Sequence, residues 1–153
     1  MTCDWSVARV LREGQALKIK PGLATIVDGH RMEGAVTKDE AWKLANHCIA
    51  AWNAHDLDLI MTHYEDAVDL TSPVAAQLLG TSDGKVVGKA NLRAYFQRGL
   101  EAYPQLHFQL EEVLWGVNSV VLYYKNQKGT QTAEFMELSA SGRVVQVVAN
   151  YSA

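Results

Sequence analysis

The spacing of the apolar residues changes once along this chain of 153 residues, and the change limits the fold more than any other feature. Between Thr37 and Tyr103 apolar residues recur every three or four positions, which is typical of helices that pack on one face. From Leu106 to Tyr151 they alternate with polar residues or form short β-rich runs. Helices first and strands last predict an α+β domain, with three helices packed on a curved antiparallel sheet.

The first two predicted helices have clear start signals. Thr37 and Glu40 form a capping box, in which each residue satisfies a free backbone N–H of the other. This helix ends near His55, and Asp56 caps a second helix that reaches Tyr64.

The third helix follows a strand and a loop. A short strand is predicted at Ala67–Thr71, and Pro73 ends it. We interpret Val74–Val87 as a loop. Gly88 then begins the third helix, and Pro104 closes it.

The C-terminal part predicts four strands joined by short turns, which is the pattern of an antiparallel meander. Their predicted ranges are Leu106–Trp115, Ser119–Tyr124, Thr130–Ser139 and Arg143–Tyr151. The N-terminal residues 1–36 carry weak signals, including a possible helix at Asp4–Glu13, and are interpreted as an extension to a main domain of residues 37–153.

Composition and charge exclude several classes of function. The net charge of -3 provides no basic surface for nucleic acid. No apolar run approaches the roughly 20 residues of a membrane span, so we expect no membrane partner. Cys3 and Cys48 are too few for a disulfide framework, and the N-terminus lacks the pattern of a signal peptide. We therefore expect a cytoplasmic protein.

Four segments resemble motifs of the nuclear transport factor 2-like superfamily, which includes the SnoaL-like polyketide cyclases and ketosteroid isomerases. Ala51–Asp58 resembles the n-a-G-D-l-d helix junction, with His55 where glycine is usual. Tyr64–Val68 resembles the y-a-d-D-a step into the first strand. Val87–Phe96 resembles the G-k-e-a-i-r-a-f-f helix, and Ser141–Val145 the d-G-k-I-v turn into the last strand.

The resemblance implies a cone-shaped, cystatin-like α+β barrel with a pocket for a small apolar molecule. It also implies proton transfer by side chains, with no metal and no other cofactor. Relatives in this superfamily include isomerases, cyclases, dehydratases, epoxide hydrolases and non-catalytic binders, so the fold does not fix the function.

Two functional positions of the ketosteroid isomerases are changed here. The general base of that family is an Asp directly before a Pro, and Ser72 occupies this place before Pro73. Cys48 stands at the position of the family's oxyanion tyrosine. Serine is not a base of useful pKa and a thiol is a poor hydrogen-bond donor, so steroid isomerisation by that mechanism is not expected.

Glu134 corresponds to the carboxyl group that the family places on the third strand of the meander. A carboxyl group facing an apolar cavity loses hydration, which raises its pKa and favours proton exchange near neutrality. The alternative is that Glu134 points to solvent and that Phe135 and Glu137 face the pocket, since strand alternation fits both arrangements.

The candidate site combines these residues with aromatic side chains. Glu134 is the central acid or base, and Asp66 or Tyr64 assists it. Aromatic and thioether side chains near the interior are the candidate substrate contacts: Trp52, Tyr95, Phe96, Trp115, Tyr123, Met136 and Tyr151. His47, His55 and His63 lack the spacing of a helical metal pair, so no metal site is expected.

The leading hypothesis is an enzyme that acts on a small apolar substrate by general acid/base catalysis. The alternatives are a non-catalytic binding protein and a dimeric scaffold for a protein partner. We also expect a homodimer, because Val120, Leu122, Val144 and Val148 would form an apolar outer row of the sheet.

Overall fold

The computed structural model describes residues 35–152, so the predicted helix at residues 4–13 lies outside the described residues. Within residues 35–152, no helix combines the length and apolar character needed to cross a bilayer. The elements in chain order are α1 (Lys38–Asn53), α2 (Leu57–Met61), β1 (Tyr64–Thr71), α3 (Pro73–Leu79), β2 (Lys85–Val87), α4 (Lys89–Ala102), β3 (Gln109–Trp115), β4 (Ser119–Lys125), β5 (Gln131–Leu138) and β6 (Val144–Tyr151).

Helix α1 begins with the predicted capping box. The Thr37 hydroxyl accepts a hydrogen bond from the Glu40 amide at 3.2 Å, and the Glu40 carboxylate accepts one from the Thr37 amide at 2.8 Å. The fully buried face of α1 consists of small side chains: Ala41, Ala45, Cys48 and Ala51. Small side chains let the helix backbone lie close to the elements it covers.

The junction between α1 and α2 explains why the family pattern has glycine there. His55 has a φ of 53°, in the left-handed region that non-glycine residues seldom adopt. Its Nε2 donates a hydrogen bond to the Leu106 carbonyl at 2.8 Å, which offsets part of the strain. The next residue, Asp56, caps α2 by accepting a hydrogen bond from the Leu59 amide at 2.9 Å.

The six strands form one sheet in the order β2-β1-β6-β5-β4-β3. Strands β3 to β6 form the predicted antiparallel meander, and the α+β fold class is confirmed. The sheet is mixed, however, because β1 pairs with β6 in parallel. The long chain between these two strands provides the crossover that parallel pairing requires.

The interpretation of Val74–Val87 as a loop was wrong. This segment contains α3 and the short strand β2, which pairs with β1. Ser72 caps α3 by accepting a hydrogen bond from the Val74 amide, Pro73 occupies its first turn, and Gly80 ends it at a φ of 67°. Proline can end a strand, but it also favours the first position of a helix, which is the role of Pro73 here.

The prediction of the outer sheet row was also wrong for three of its four residues. Val120, Leu122 and Val144 are almost fully buried in the core. A second apolar row lies on the opposite face. It crosses β3, β4, β5 and β6, and each of its residues is paired with the next across the sheet: Leu114, Val121, Phe135 and Val148. Both rows of β4 are apolar, so its sequence does not show which row faces the helices.

Candidate active site

A cavity of about 400 Å³ lies between the helices and the sheet. Residues of α1, α3 and α4 line it on one side, and residues of β1, β4, β5 and β6 line it on the other. Its volume is within the range of small-molecule sites. The cavity is therefore large enough to hold a small molecule.

Glu134 lies on the cavity wall, in the inward row of β5. Its neighbours across the sheet are Leu122 and Ala149, both of them apolar. Burial among such groups raises the pKa of Glu134 above its usual value, and a hydrogen bond from Tyr124 lowers this pKa only in part. The carboxyl group is thus tuned towards proton exchange at a higher pH than a solvated glutamate.

Tyr124 is the direct partner of Glu134 and was missed by the sequence analysis. Its hydroxyl donates a hydrogen bond to Glu134 Oε2 at 2.7 Å, and its ring packs on Phe108 with the ring centroids 4.6 Å apart. The predicted contact Tyr123 lies on the opposite face beside Ala133. Tyr124 is on the same face of β4 as the buried residues Val120 and Leu122. The sequence alone does not indicate which face of this strand is buried.

Aromatic rings form an apolar wall beside this pair. The Trp52 ring lies 4.8 Å from Phe96 and 5.8 Å from Phe108, measured between centroids, and Tyr95 lies 5.6 Å from Phe96. Contacts of this kind add to the energy of apolar burial and fix the ring orientations. These ring contacts give this side of the cavity a defined, largely apolar surface.

Three hydroxyl groups meet at another part of the cavity wall: Ser72, Tyr95 and Tyr151. Ser72 Oγ lies 3.3 Å from the Tyr151 hydroxyl, and Tyr95 lines the same cavity. Burial raises the pKa of Tyr95 to about 12 and raises that of Tyr151 as well, with Glu134 adding to both shifts. These hydroxyls stay protonated at neutral pH and can donate hydrogen bonds to a ligand oxygen.

The structure brings together five of the predicted site residues around the cavity: Trp52, Tyr95, Phe96, Glu134 and Tyr151. Three predicted substrate contacts are outside its lining. Trp115 is 45% exposed at the end of β3, Tyr123 is on the outer face of the sheet, and Met136 is in the core. These three residues differ from the lining residues in the face of the sheet they occupy or in their position along the strand, and not in residue type.

The two predicted assisting residues lie away from the cavity surface. Tyr64 is buried in the core with its ring 5.5 Å from Phe96, and burial raises its pKa well above the usual value. Asp66 is exposed, and its carboxylate lies 4.0 Å from Lys89 Nζ. Their catalytic roles remain predictions.

Cys48, at the position of the family's oxyanion tyrosine, is buried and is not among the residues that line the cavity. Burial raises the pKa of its thiol to about 12, and the nearby Glu134 carboxylate contributes to this rise. Its thiol is therefore neutral and weakly donating. Among residues 35–152, no group of three or more His, Cys, Asp or Glu side chains is placed to hold a metal ion.

The fold agrees with the comparison to known families. Residues 45–150 match the model of the SnoaL-like domain, and the chain belongs to that family. This confirms the resemblance stated on the four sequence motifs. No curated protein matches the chain.

Solved structures extend the comparison. A SnoaL-like protein of unknown function from Burkholderia thailandensis is 36% identical with a TM-score of 0.75, covering 78% of this chain and 99% of that one. A Kribbella flavida protein provisionally called a ketosteroid isomerase is 15% identical with a TM-score of 0.60, covering 75% and 79%. A protein of unknown function with a cystatin-like fold from Methylobium petroleophilum is 14% identical with a TM-score of 0.63, covering 78% and 80%. The last two show the fold alone.

Proposed function

We propose that this protein is an enzyme that binds a small apolar molecule carrying a carbonyl group and moves a proton next to that carbonyl. The observation that carries the proposal is the Tyr124–Glu134 hydrogen bond of 2.7 Å on the wall of an apolar cavity. Glu134 is the proton-transferring group, and the family membership supports this class of chemistry. The reaction needs no cofactor.

The proposed mechanism assigns one task to each part of the cavity. The ligand carbonyl accepts hydrogen bonds from the hydroxyl cluster of Ser72, Tyr95 and Tyr151, which stabilise negative charge on that oxygen as a proton leaves. Glu134 removes the proton from the adjacent carbon and can return it to another position. Tyr124 positions the carboxyl group throughout.

The raised pKa of Glu134 supports this assignment. A carboxyl group with a raised pKa is a stronger base when ionised, and a larger fraction of it is protonated near neutral pH and can return the proton. Ser72 cannot replace it as a base, because a serine hydroxyl is a poor proton acceptor. Among the cavity-lining residues in the described range 35–152, Glu134 alone has a carboxyl group.

Exchange of carbon-bound hydrogen tests the proposal without knowledge of the natural substrate. Tetralone has an apolar bicyclic body and acidic protons beside its carbonyl, and NMR in deuterium oxide measures their replacement. We expect the protein to accelerate this exchange and Glu134→Gln to reduce the acceleration by about 10²–10⁴-fold, because it removes the base. Tetralone binding should persist, since glutamine can still accept the Tyr124 hydrogen bond.

Glu137→Gln is the matched control because it makes the same change on the outer face, where Glu137 accepts a hydrogen bond from Asn118 at 3.3 Å. It should leave exchange unchanged. Tetralone binding to the wild type with no faster exchange would favour a non-catalytic binding protein. Equal losses in the two variants would contradict the role of Glu134.

We also propose that the chain forms a homodimer through the apolar outer row of the sheet. Leu114 is 57% exposed in this row, beside Val121 and in line with Phe135. A second copy would cover these side chains, and their burial favours association. Sedimentation at micromolar concentration should give a dimer for the wild type and a monomer for Leu114→Lys; a monomeric wild type would contradict the proposal.

A further inference from the structure

The mouth of the cavity has a different chemistry from its interior. The turn between β4 and β5 contributes Asn126, Gln127, Lys128 and Thr130 to the lining. Within the part of the lining that residues 35–152 form, Lys128 supplies the one cationic side chain and Glu134 the one carboxyl group. Lys128 is an exposed residue, whereas Glu134 is only partly exposed.

The turn that carries Lys128 is held by its own hydrogen bonds. Asn126 Oδ1 accepts from the Lys128 amide at 2.9 Å and from the Thr130 amide at 3.0 Å. Gly129, at a φ of 83°, donates its amide to the Asn126 carbonyl at 2.9 Å. The backbone of Lys128 is therefore fixed before any ligand arrives, which lowers the entropy cost of using it.

The side chain of Lys128 extends from this turn towards α4. Its Nζ lies 5.7 Å from the centroid of the Tyr103 ring, and both residues line the cavity. Among residues 35–152, the ion pairs engage Lys89, Lys125, Arg93 and Arg143, and none includes Lys128. Its ammonium group is available to an anion at the mouth.

We propose that the ligand is an amphipathic anion, with an apolar body inside the cavity and a carboxylate at the mouth beside Lys128. This inference rests on the proposed function, because the apolar body of the ligand must place its carbonyl or hydroxyl oxygen at the hydroxyl cluster that contains Ser72. The opposite orientation is disfavoured, since a carboxylate deep inside would meet Glu134 without a cation to balance it.

One charged probe and one neutral probe test whether the ligand binds with its carboxylate at the mouth. Hydroxynaphthoic acid and its carboxamide share one apolar body and differ in the charge of the group expected at the mouth. We expect the wild type to bind the acid more tightly than the amide. Lys128→Gln should weaken acid binding about twofold to fivefold, as for an exposed ion pair, and leave amide binding unchanged.

Lys125→Gln is the matched control because it removes the same charge nearby. Lys125 is outside the cavity lining and is paired with Glu111 at 2.7 Å. This variant should keep the preference for the acid. Titration calorimetry or quenching of the naphthyl fluorescence measures all six affinities.

Amide binding as tight as acid binding, or equal effects of Lys128→Gln on the two probes, would overturn the inference about the mouth. The exchange of tetralone protons does not involve Lys128, so the proposed function would stand in that case. Loss of tetralone exchange in Lys128→Gln would also contradict the inference, because it would place Lys128 in the chemistry and not in recognition.

Discussion

Replacing Gly84 by alanine is expected to destabilise the domain by about 2–5 kcal/mol. Gly84 has a φ of 62°, a region in which a side chain is strained. An added Cβ would also overlap the Ser72 carbonyl oxygen, which belongs to the backbone and cannot rotate away. Chemical unfolding by urea, followed by circular dichroism, measures the loss as a lower midpoint.

Gly80→Ala separates the two causes. Gly80 has a similar φ of 67°, but nothing lies within 4 Å of the position of its added Cβ. We expect this variant to lose only about 1–2 kcal/mol, from backbone strain. Equal losses in the two variants would show that the approach to Ser72 contributes nothing.

Replacing Glu134 by glutamine is expected to change how stability depends on pH. Burial raises the pKa of Glu134 in the folded state, so the folded protein holds this proton more tightly than the unfolded chain does. That contribution to stability is complete below the unfolded pKa of about 4.3 and disappears as the pH rises through the folded pKa. The melting temperature of Glu134→Gln minus that of the wild type should therefore increase with pH across this window.

Glu65→Gln should show the opposite sign. Hydrogen bonds from Ser141 and Ser139 hold the pKa of Glu65 below its usual value. The stability from Glu65 is then present above its unfolded pKa and lost as the pH falls through the folded one. Thermal melts of the three proteins from about pH 2 to about pH 8 cover both windows. Parallel curves for Glu134→Gln and the wild type would contradict the raised pKa of Glu134.

The sequence predicted those parts of the fold that depend on local signals. The capping box at Thr37 and the Asp56 cap set the starts of α1 and α2, because each depends on side chains within one turn. Helix α3 was missed although Ser72 and Pro73 carry its start signal. Its seven residues are too few for a readable apolar period.

The candidate site was harder to predict because it depends on which strand row faces inward. A shift of one residue exchanges Tyr123 for Tyr124, and both rows of β4 are apolar. In β6, Val144 pairs with Leu138 while Val148 pairs with Phe135, and the irregularity between them puts the two valines on opposite faces. Lys128 was missed because nothing local distinguishes a turn lysine at a cavity mouth from one in open solvent.

The position of β6 between β1 and β5 has a consequence for the order of assembly. Strand β1 lies at residues 64–71, whereas β6, the strand that joins it to the meander, lies at residues 144–151. The ribosome therefore makes β6 long after β1. Before β6 is made, the β1–β2 pair and the β3–β5 ribbon therefore each have an unpaired edge strand, because β6 is the neighbour of both β1 and β5. Such distant pairing slows folding and exposes strand edges to other chains. Since Tyr151 is in β6, the hydroxyl cluster is completed only when this strand is inserted.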